Sequence, residues 1–310
     1  MPFLMKENFM PPFRGIFTIP TTPFKENGEI DVPSFRRVID FCVDCGAHGL
    51  VYPVNASEFS NLTDAERMQL SEVMIEQNAG RVPTVIGVAG VSREVAVMFA
   101  KHAHEIGADS VIAMPPYANK VGVNMTVVYD YYVGVAEAAQ VPVWVQNNMP
   151  PIGIQMSAEF LLKMCREIEY IDYIKEETIP STVVLQQIMD SNQGDCKGVM
   201  GGAGGRYLIE EYRRGSAGNM PGCHVTDVVV AFWNALEGGD EERAMHIYKE
   251  MAPLFFFEHQ LPGSYKEVLF RRGVIDCPMK RNGNMPMDDV ASKYLDEILK
   301  DLEPIMTWST

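Results

Sequence analysis

Along this chain, short runs of consecutive apolar residues alternate with longer stretches whose apolar positions recur every three or four residues. The first pattern suits strands buried on both faces, the second amphipathic helices. Gly15 to Pro20 reads as a first strand, and Thr21-Thr22-Pro23-Phe24 as the loop leaving it. Asp31-Val32-Pro33 then opens a helix with apolar positions at Phe35, Val38, Ile39, Phe41 and Cys42, stopped by Gly46. Gly49 to Val54 is a second strand, and Thr63 with Glu66 forms a capping box for a helix reaching Asn78. Further strands are expected at Pro83 to Val88, Ser110 to Met114, Val141 to Gln146, Tyr170 to Lys175, Cys196 to Met200 and Gly215 to Met220. Helices are expected from Ser92 to Ile106, Asn124 to Ala139, Ser157 to Cys165, onward from a Ser181 cap, and from Thr226 to Leu236.

The alternation repeats at roughly 30 residues, the size of a strand–helix–strand unit, and eight such units close a barrel. The expected fold class is therefore α/β: a (β/α)8 TIM barrel over residues 1–238 with additional C-terminal helices over 239–310. A doubly wound open sheet is the rival, but it usually carries a glycine fingerprint after its first strand, and Thr21-Thr22-Pro23 is not one. The apolar run from Pro253 to Phe257 is too short for a membrane span and suits a helix packed on the barrel or on a neighbouring subunit.

Composition narrows the classes. With 310 residues, 47% hydrophobic and 22% charged, a core of full size is available. A formal charge of −15 and the lack of a basic run argue against nucleic acid or an anionic membrane as partner. Met1 to Phe13 contains Lys6 and Glu7 and no apolar core of signal-peptide length, so a soluble cytoplasmic protein is expected. The cysteines (Cys42, Cys45, Cys165, Cys196, Cys223, Cys277) are scattered, which suits a reducing compartment, and Cys42 with Cys45 reads as two packed thiols. None of the six histidines joins other ligands at a strand end, so no metal and no cofactor is expected.

In a barrel the working groups lie at the carboxyl ends of the strands. The stretch from Tyr170 to Thr178 puts Lys175 at such an end, followed at once by Glu176 and Glu177. A lysine buried there loses hydration and moves toward the range of a nucleophile able to form a Schiff base; the ordinary alternative is a solvated lysine paired with Glu176 or Glu177. The same mouth would gather Asn55-Ala56-Ser57-Glu58, Tyr117, Gln146 with Asn147, the glycine-rich Gly201 to Gly205, and Met220. That set offers an amine, a phenol that moves protons, and neutral donors suited to a carboxylate. The glycines could also cradle a phosphate, although no Lys or Ser/Thr stands in P-loop spacing.

These residues resemble the dihydrodipicolinate synthase and N-acetylneuraminate lyase family of Schiff-base lyases, from Gly15 to beyond Leu236. Gly15 to Phe24 resembles the family's opening strand, and Asn55 to Glu58 stands where the family has Gly-Thr-Thr-Gly-Glu. Pro115-Pro116-Tyr117 resembles its Pro-Tyr-Tyr, and Ile174-Lys175-Glu176 its Schiff-base strand. The resemblance implies a barrel with extra C-terminal helices, a homo-oligomer (tetramer or dimer), and a small-molecule 2-oxo acid substrate. It implies Lys175 as the imine-forming residue and Tyr117 as a proton relay. Asn55, Ala56, Ser57, Gln146, Gly201 and Met220 would contact substrate, and Glu58 would brace its loop by hydrogen bonds.

Departures from the family pattern sharpen the reading. Gln146 replaces the strand-five tyrosine that usually works beside the lysine, and Pro151 falls where dihydrodipicolinate synthases keep a carboxylate-binding arginine. The strand ends are more similar to the 2-keto-3-deoxy sugar-acid branch, especially L-2-keto-3-deoxyarabonate dehydratases. A dehydratase is therefore expected. A pyruvate-dependent aldolase of the same family, a catalytically silent 2-oxo-acid-binding barrel and a phosphosugar isomerase stand as the alternatives.

Overall fold

The computed structural model describes residues 13–116, 124–150, 153–283 and 287–308. Eight parallel strands close in chain order: β1 (Gly15–Thr18), β2 (Gly49–Tyr52), β3 (Thr84–Gly87), β4 (Ser110–Ala113), β5 (Val143–Asn148), β6 (Ile171–Glu177), β7 (Gly198–Gly201) and β8 (Gly218–Asn219), which pairs back onto β1. The intervening helices are α1 (Val32–Asp44), α2 (Asp64–Asn78), α3 (Arg93–Glu105), α4 (Met125–Ala139), α5 (Ala158–Glu167), α6 (Ser181–Ser191), α7 (Leu208–Arg213) and α8 (Thr226–Glu237). This is the (β/α)8 barrel that the alternation predicts.

Local chemistry sets most boundaries where the pattern put them. Asp31 caps α1 by accepting from Ser34 N–H, and Thr63 with Glu66 makes the reciprocal capping box of α2. Ser92, Asn124 and Ser157 cap α3, α4 and α5 in the same way. Three expectations change. Ser181 is the first helical residue of α6 and makes no cap bond, because Pro180 holds the cap position. β8 keeps only two residues, although the flanking Ala217 and Met220 still donate backbone N–H to Val199 O and Gly201 O, and the Ser216 hydroxyl adds bonds to Val199 O and Gly218 O. β5 and β6 run two residues further than expected, to Asn148 and Glu177, with Asn147 opposite Glu176 and Asn148 opposite Glu177.

Alternation along the strands divides the core into two layers. Phe17, Val51, Val85, Ile112, Trp144, Tyr173 and Met200 fill the barrel, joined by Ala217 and Met220. Trp144 and Tyr173 stack with centroids 4.3 Å apart, a contact worth roughly 1 kcal/mol beyond its buried area. The opposite strand faces pack under the helices.

Beyond the barrel lie α9 (Glu241–Gln260), α10 (Tyr265–Arg271) and α11 (Asp289–Leu302). Leu254, Phe255 and Phe257 of the apolar run enter one core with Val228 and Phe232 of α8 and Leu295 and Ile298 of α11. Phe256 points outward at 76% exposure, as the helical period requires. Among the described residues no helix is long and apolar enough to cross a membrane.

Candidate active site

The two extra residues of β6 decide the geometry of the mouth. Successive side chains alternate faces, so Tyr173, Lys175 and Glu177 point into the barrel while Ile174 and Glu176 point toward the helices. Lys175 stands one layer above the Trp144–Tyr173 stack and is only 3% exposed. Its Nζ lies 3.2 Å from Glu177 Oε2. The same oxygen accepts from Gln146 Nε2 at 2.5 Å and from Asn148 Nδ2 at 3.4 Å, and Ala203 N–H donates to Oε1 at 3.3 Å. Register explains the convergence: Gln146 sits opposite Lys175, and Asn148 opposite Glu177, on the neighbouring strand.

Glu176 has a different environment on the outer face. It accepts from Asn147 Nδ2 at 2.8 Å, from Thr178 N–H at 2.7 Å and from the Thr178 hydroxyl. Burial pushes its carboxyl above the ordinary range against the pull of these donors. Asn147 is fully engaged there and on both polar groups of Met156, so it braces the β5 exit rather than facing the interior.

The turn after β2 brings in the second group of expected residues. Asn55–Ser57 forms one 3-10 turn, with Asn55 Nδ2 3.5 Å from Met114 Sδ and Ala56 packed on the interior cluster that contains Met220. Thr22 donates to Ser57 O at 2.7 Å and pairs with the Tyr52 hydroxyl at 2.9 Å. Ser57 Oγ is buried and finds no hydrogen-bond partner among the described residues, a donor left over for a ligand acceptor. Glu58, in the left-handed region at φ 59°, closes the turn. Its Oε1 lies 2.5 Å from Lys266 Nζ of α10, and Lys266 also donates to Met279 O at 2.9 Å and sits 4.3 Å over the Phe24 ring. Burial pushes the Lys266 ammonium down to about 8 although Glu58 pulls it the other way. The bracing role expected for Glu58 thus takes the form of a buried ion pair.

At the β7 end, Gly201 and Gly202 have no room for a side chain. A Cβ on Gly201 would fall 2.0 Å from Glu211 Oε2, and one on Gly202 would fall 2.0 Å from Glu177 Oε1. Met220 N–H donates to Gly201 O at 3.0 Å, joining the β7 and β8 exits. Tyr117 and Pro151 lie outside the described residues. The structure therefore gathers Lys175, Gln146, Gly201, Met220 and the Asn55–Ser57 turn around one mouth. Among the described residues no group of three or more His, Cys, Asp or Glu side chains could hold a metal ion. Cys42 and Cys45 are buried in the outer core as packed thiols, and burial pushes Cys45 up to about 12.

Pattern reading missed Glu177 as more than an ion-pair partner, and it missed Asn148, Glu211, Asn219 and Lys266. The signal for Glu177 was present, since a strand extended by two residues puts it on the lysine's face. No local pattern marks Glu211, whose partner Asn219 lies across a strand exit, or Lys266, whose partner Glu58 lies far away in the chain.

A closed (β/α)8 barrel with a buried lysine paired to a carboxylate at its mouth has the form of a small-molecule lyase site. The chain belongs to the dihydrodipicolinate synthetase family, whose model matches residues 12–303, and it is a lyase of that family. It is 30% identical over 309 residues to L-2-keto-3-deoxyarabonate dehydratase of Azospirillum brasilense, covering 98% of this chain and 100% of the relative. A probable 2-dehydro-3-deoxy-D-pentonate aldolase of Escherichia coli is 34% identical over 182 residues, 59% of this chain and 60% of that protein. In fold, dihydrodipicolinate synthase from Rhodopseudomonas palustris superposes with a TM-score of 0.86 at 24% identity, over 94% of this chain and 99% of that one.

Proposed function

We propose that the chain is a Schiff-base dehydratase of a 2-keto-3-deoxy sugar acid, with Lys175 as nucleophile and Glu177 as the acid/base that stands in for the missing strand-five phenol. The observation that carries this reading is the Glu177 carboxylate, 3.2 Å from Lys175 Nζ and oriented by the Gln146 and Asn148 amides. Lys175 passes its ammonium proton to Glu177, the neutral amine adds to the C2 carbonyl, and Glu177 returns that proton as one water leaves, which gives the protonated imine and restores the carboxylate. That imine acidifies C3, and the Glu177 carboxylate takes the C3 proton to leave an enamine. The enamine electrons expel the C4 hydroxyl, and the protonated Glu177 returns its proton to that oxygen, so a second water leaves and the carboxylate is regenerated. Water then hydrolyses the imine and frees Lys175. The Asn55–Ser57 turn, with its unpartnered Ser57 hydroxyl, is suited to the substrate carboxylate.

Full-length similarity to a named dehydratase supports the elimination over carbon–carbon cleavage. The partner is a small 2-oxo acid, and we assign the working form as a homo-oligomer in a cytoplasmic setting. Mass spectrometry of products from a panel of 2-keto-3-deoxy acids tests the assignment. Loss of one water from an intact carbon chain is expected; release of pyruvate would assign the aldolase reaction instead.

A further inference from the structure

Behind the β7 exit, on the side away from Lys175, a second carboxyl is enclosed. Glu211, on α7, is 1% exposed, and its Oε2 accepts from Asn219 Nδ2 at 3.0 Å. Asn219 is fully buried at the end of β8, and the same Nδ2 donates to Gly202 O at 3.0 Å. The carbonyl can only accept, so it fixes which end of the amide faces Glu211. The Gly201–Gly202 backbone is thus enclosed between two carboxyls, with Glu211 against the first glycine and Glu177 against the second. The next peptide donates Ala203 N–H to Glu177 Oε1. A chain of direct contacts runs from Glu211 through Asn219 and Gly202 to the carboxylate beside Lys175.

We propose that Glu211, in its uncharged acid form, is a positioning residue for the reaction: with Asn219 it fixes the Gly201–Ala203 strand end that orients Glu177, and its ionisation disables the site. The inference rests on the role given above to Glu177. Its electrostatic basis is the company Glu211 keeps. Burial pushes its carboxyl up to about 8, the Asn219 bond pulls the other way, and the charges of Glu177, Glu176 and Glu210 push it up further. Glu210 is itself paired with Arg214 at 2.6 Å, and the Lys175 ammonium is paired with Glu177. Glu211 has no cation of its own among these neighbours. At neutral pH it holds its proton and adds no third negative charge to the pair Glu176 and Glu177. Once ionised, with no cation beside it, it would repel the Glu177 carboxylate across the glycine backbone and loosen the strand end that orients that carboxylate.

Three proteins test this: wild type, E211Q and E211L. Infrared titration of the ligand-free protein should show a neutral-carboxyl band at pH 7 that fades with a midpoint near 8 in wild type and is missing in E211Q. Borohydride-trappable imine formation from pyruvate, followed against pH, supplies the kinetic reading. E211Q keeps a neutral group that accepts from Asn219, so its rate at pH 7 should stay within about threefold of wild type while the alkaline decline moves upward. E211L leaves an Asn219 amide proton without its partner, so its rate should fall about tenfold or more at every pH. A Glu211 carboxyl already ionised at pH 7, or an E211Q profile with the wild-type alkaline limb, overturns the proposal. Absence of imine in wild type would instead unseat the Schiff-base reading, which separates the two failures.

Discussion

Lys175 and Glu177 stand two residues apart on one strand, and their ammonium and carboxylate meet at 3.2 Å. The i, i+2 spacing makes them neighbours on the inner face, and the strand itself fixes their distance. In the roles proposed for the pair, an acid/base on the same strand as the nucleophile needs no loop to close before it is in place. The predictions that follow test what this pair and its supports do.

Pyruvate or a substrate 2-oxo acid with borohydride should add covalent mass at Lys175 and inactivate the enzyme. Lys175→Arg should fold and lose essentially all turnover, because a guanidinium supplies no neutral amine. Peptide mapping decides the first point; label on a different lysine would remove Lys175 from the mechanism.

Glu177→Gln should lower turnover by roughly 10² to 10⁴, the usual worth of a positioned acid/base, while trapped imine stays detectable. Single-turnover experiments separate the two steps. Equal loss of imine and product would make Glu177 a partner of the lysine rather than a base for C3.

Lys266→Met should destabilise the protein by about 3–5 kcal/mol, because it leaves the Glu58 carboxylate buried and unpaired. The double change Glu58→Gln with Lys266→Met should recover most of that loss in urea unfolding. Its KM for the 2-oxo acid should stay raised, since the charged clamp on the Asn55–Ser57 turn is gone.

Condensation of pyruvate with aspartate semialdehyde should be negligible. Pro151 offers no cation for that aldehyde's carboxylate, and Gln146 replaces a phenol. The coupled assay for that product checks it, and efficient turnover would mean that another residue binds the carboxylate.

Stability should depend on pH through Glu211. Its carboxyl is raised from 4.5 to about 8, so the folded state holds a proton that the unfolded chain releases across that window. The stability this contributes is full below the ordinary carboxyl range and is lost as pH climbs toward 8, with a slope of about 1.4 kcal/mol per pH unit. E211Q should lack that component, and urea midpoints of both proteins from pH 5 to about 9 would show it.

The fold was legible because every unit repeats the same local signals. A capping residue, an apolar helical stripe and a short apolar run recur, and each is fixed by its own neighbours in the chain. The buried, inward place of Lys175 on its strand was legible for the same reason. Glu177 was harder to read, because an acidic pair after a lysine looks like the end of a strand, and only pairing with Asn147 and Asn148 carries the ladder on. Lys266 and Glu211 gave no local sign. A buried charge is intelligible only with its partner, and Lys266 finds Glu58 through tertiary packing.

The Lys266–Glu58 clamp also places the site in time. Glu58 emerges from the ribosome early, with the first quarter of the barrel, whereas Lys266 follows only after the last strand. Until α10 docks, Glu58 has no countercharge from Lys266 and stays hydrated, so the turn proposed to take the substrate carboxylate has not yet set. Because β1 pairs with β8, the barrel closes only when its last strand is present, and the clamp on the turn then waits for a lysine from beyond the barrel. A chain that stops short of α10 therefore has every strand of the barrel and still lacks the countercharge that fixes its Asn55–Ser57 turn.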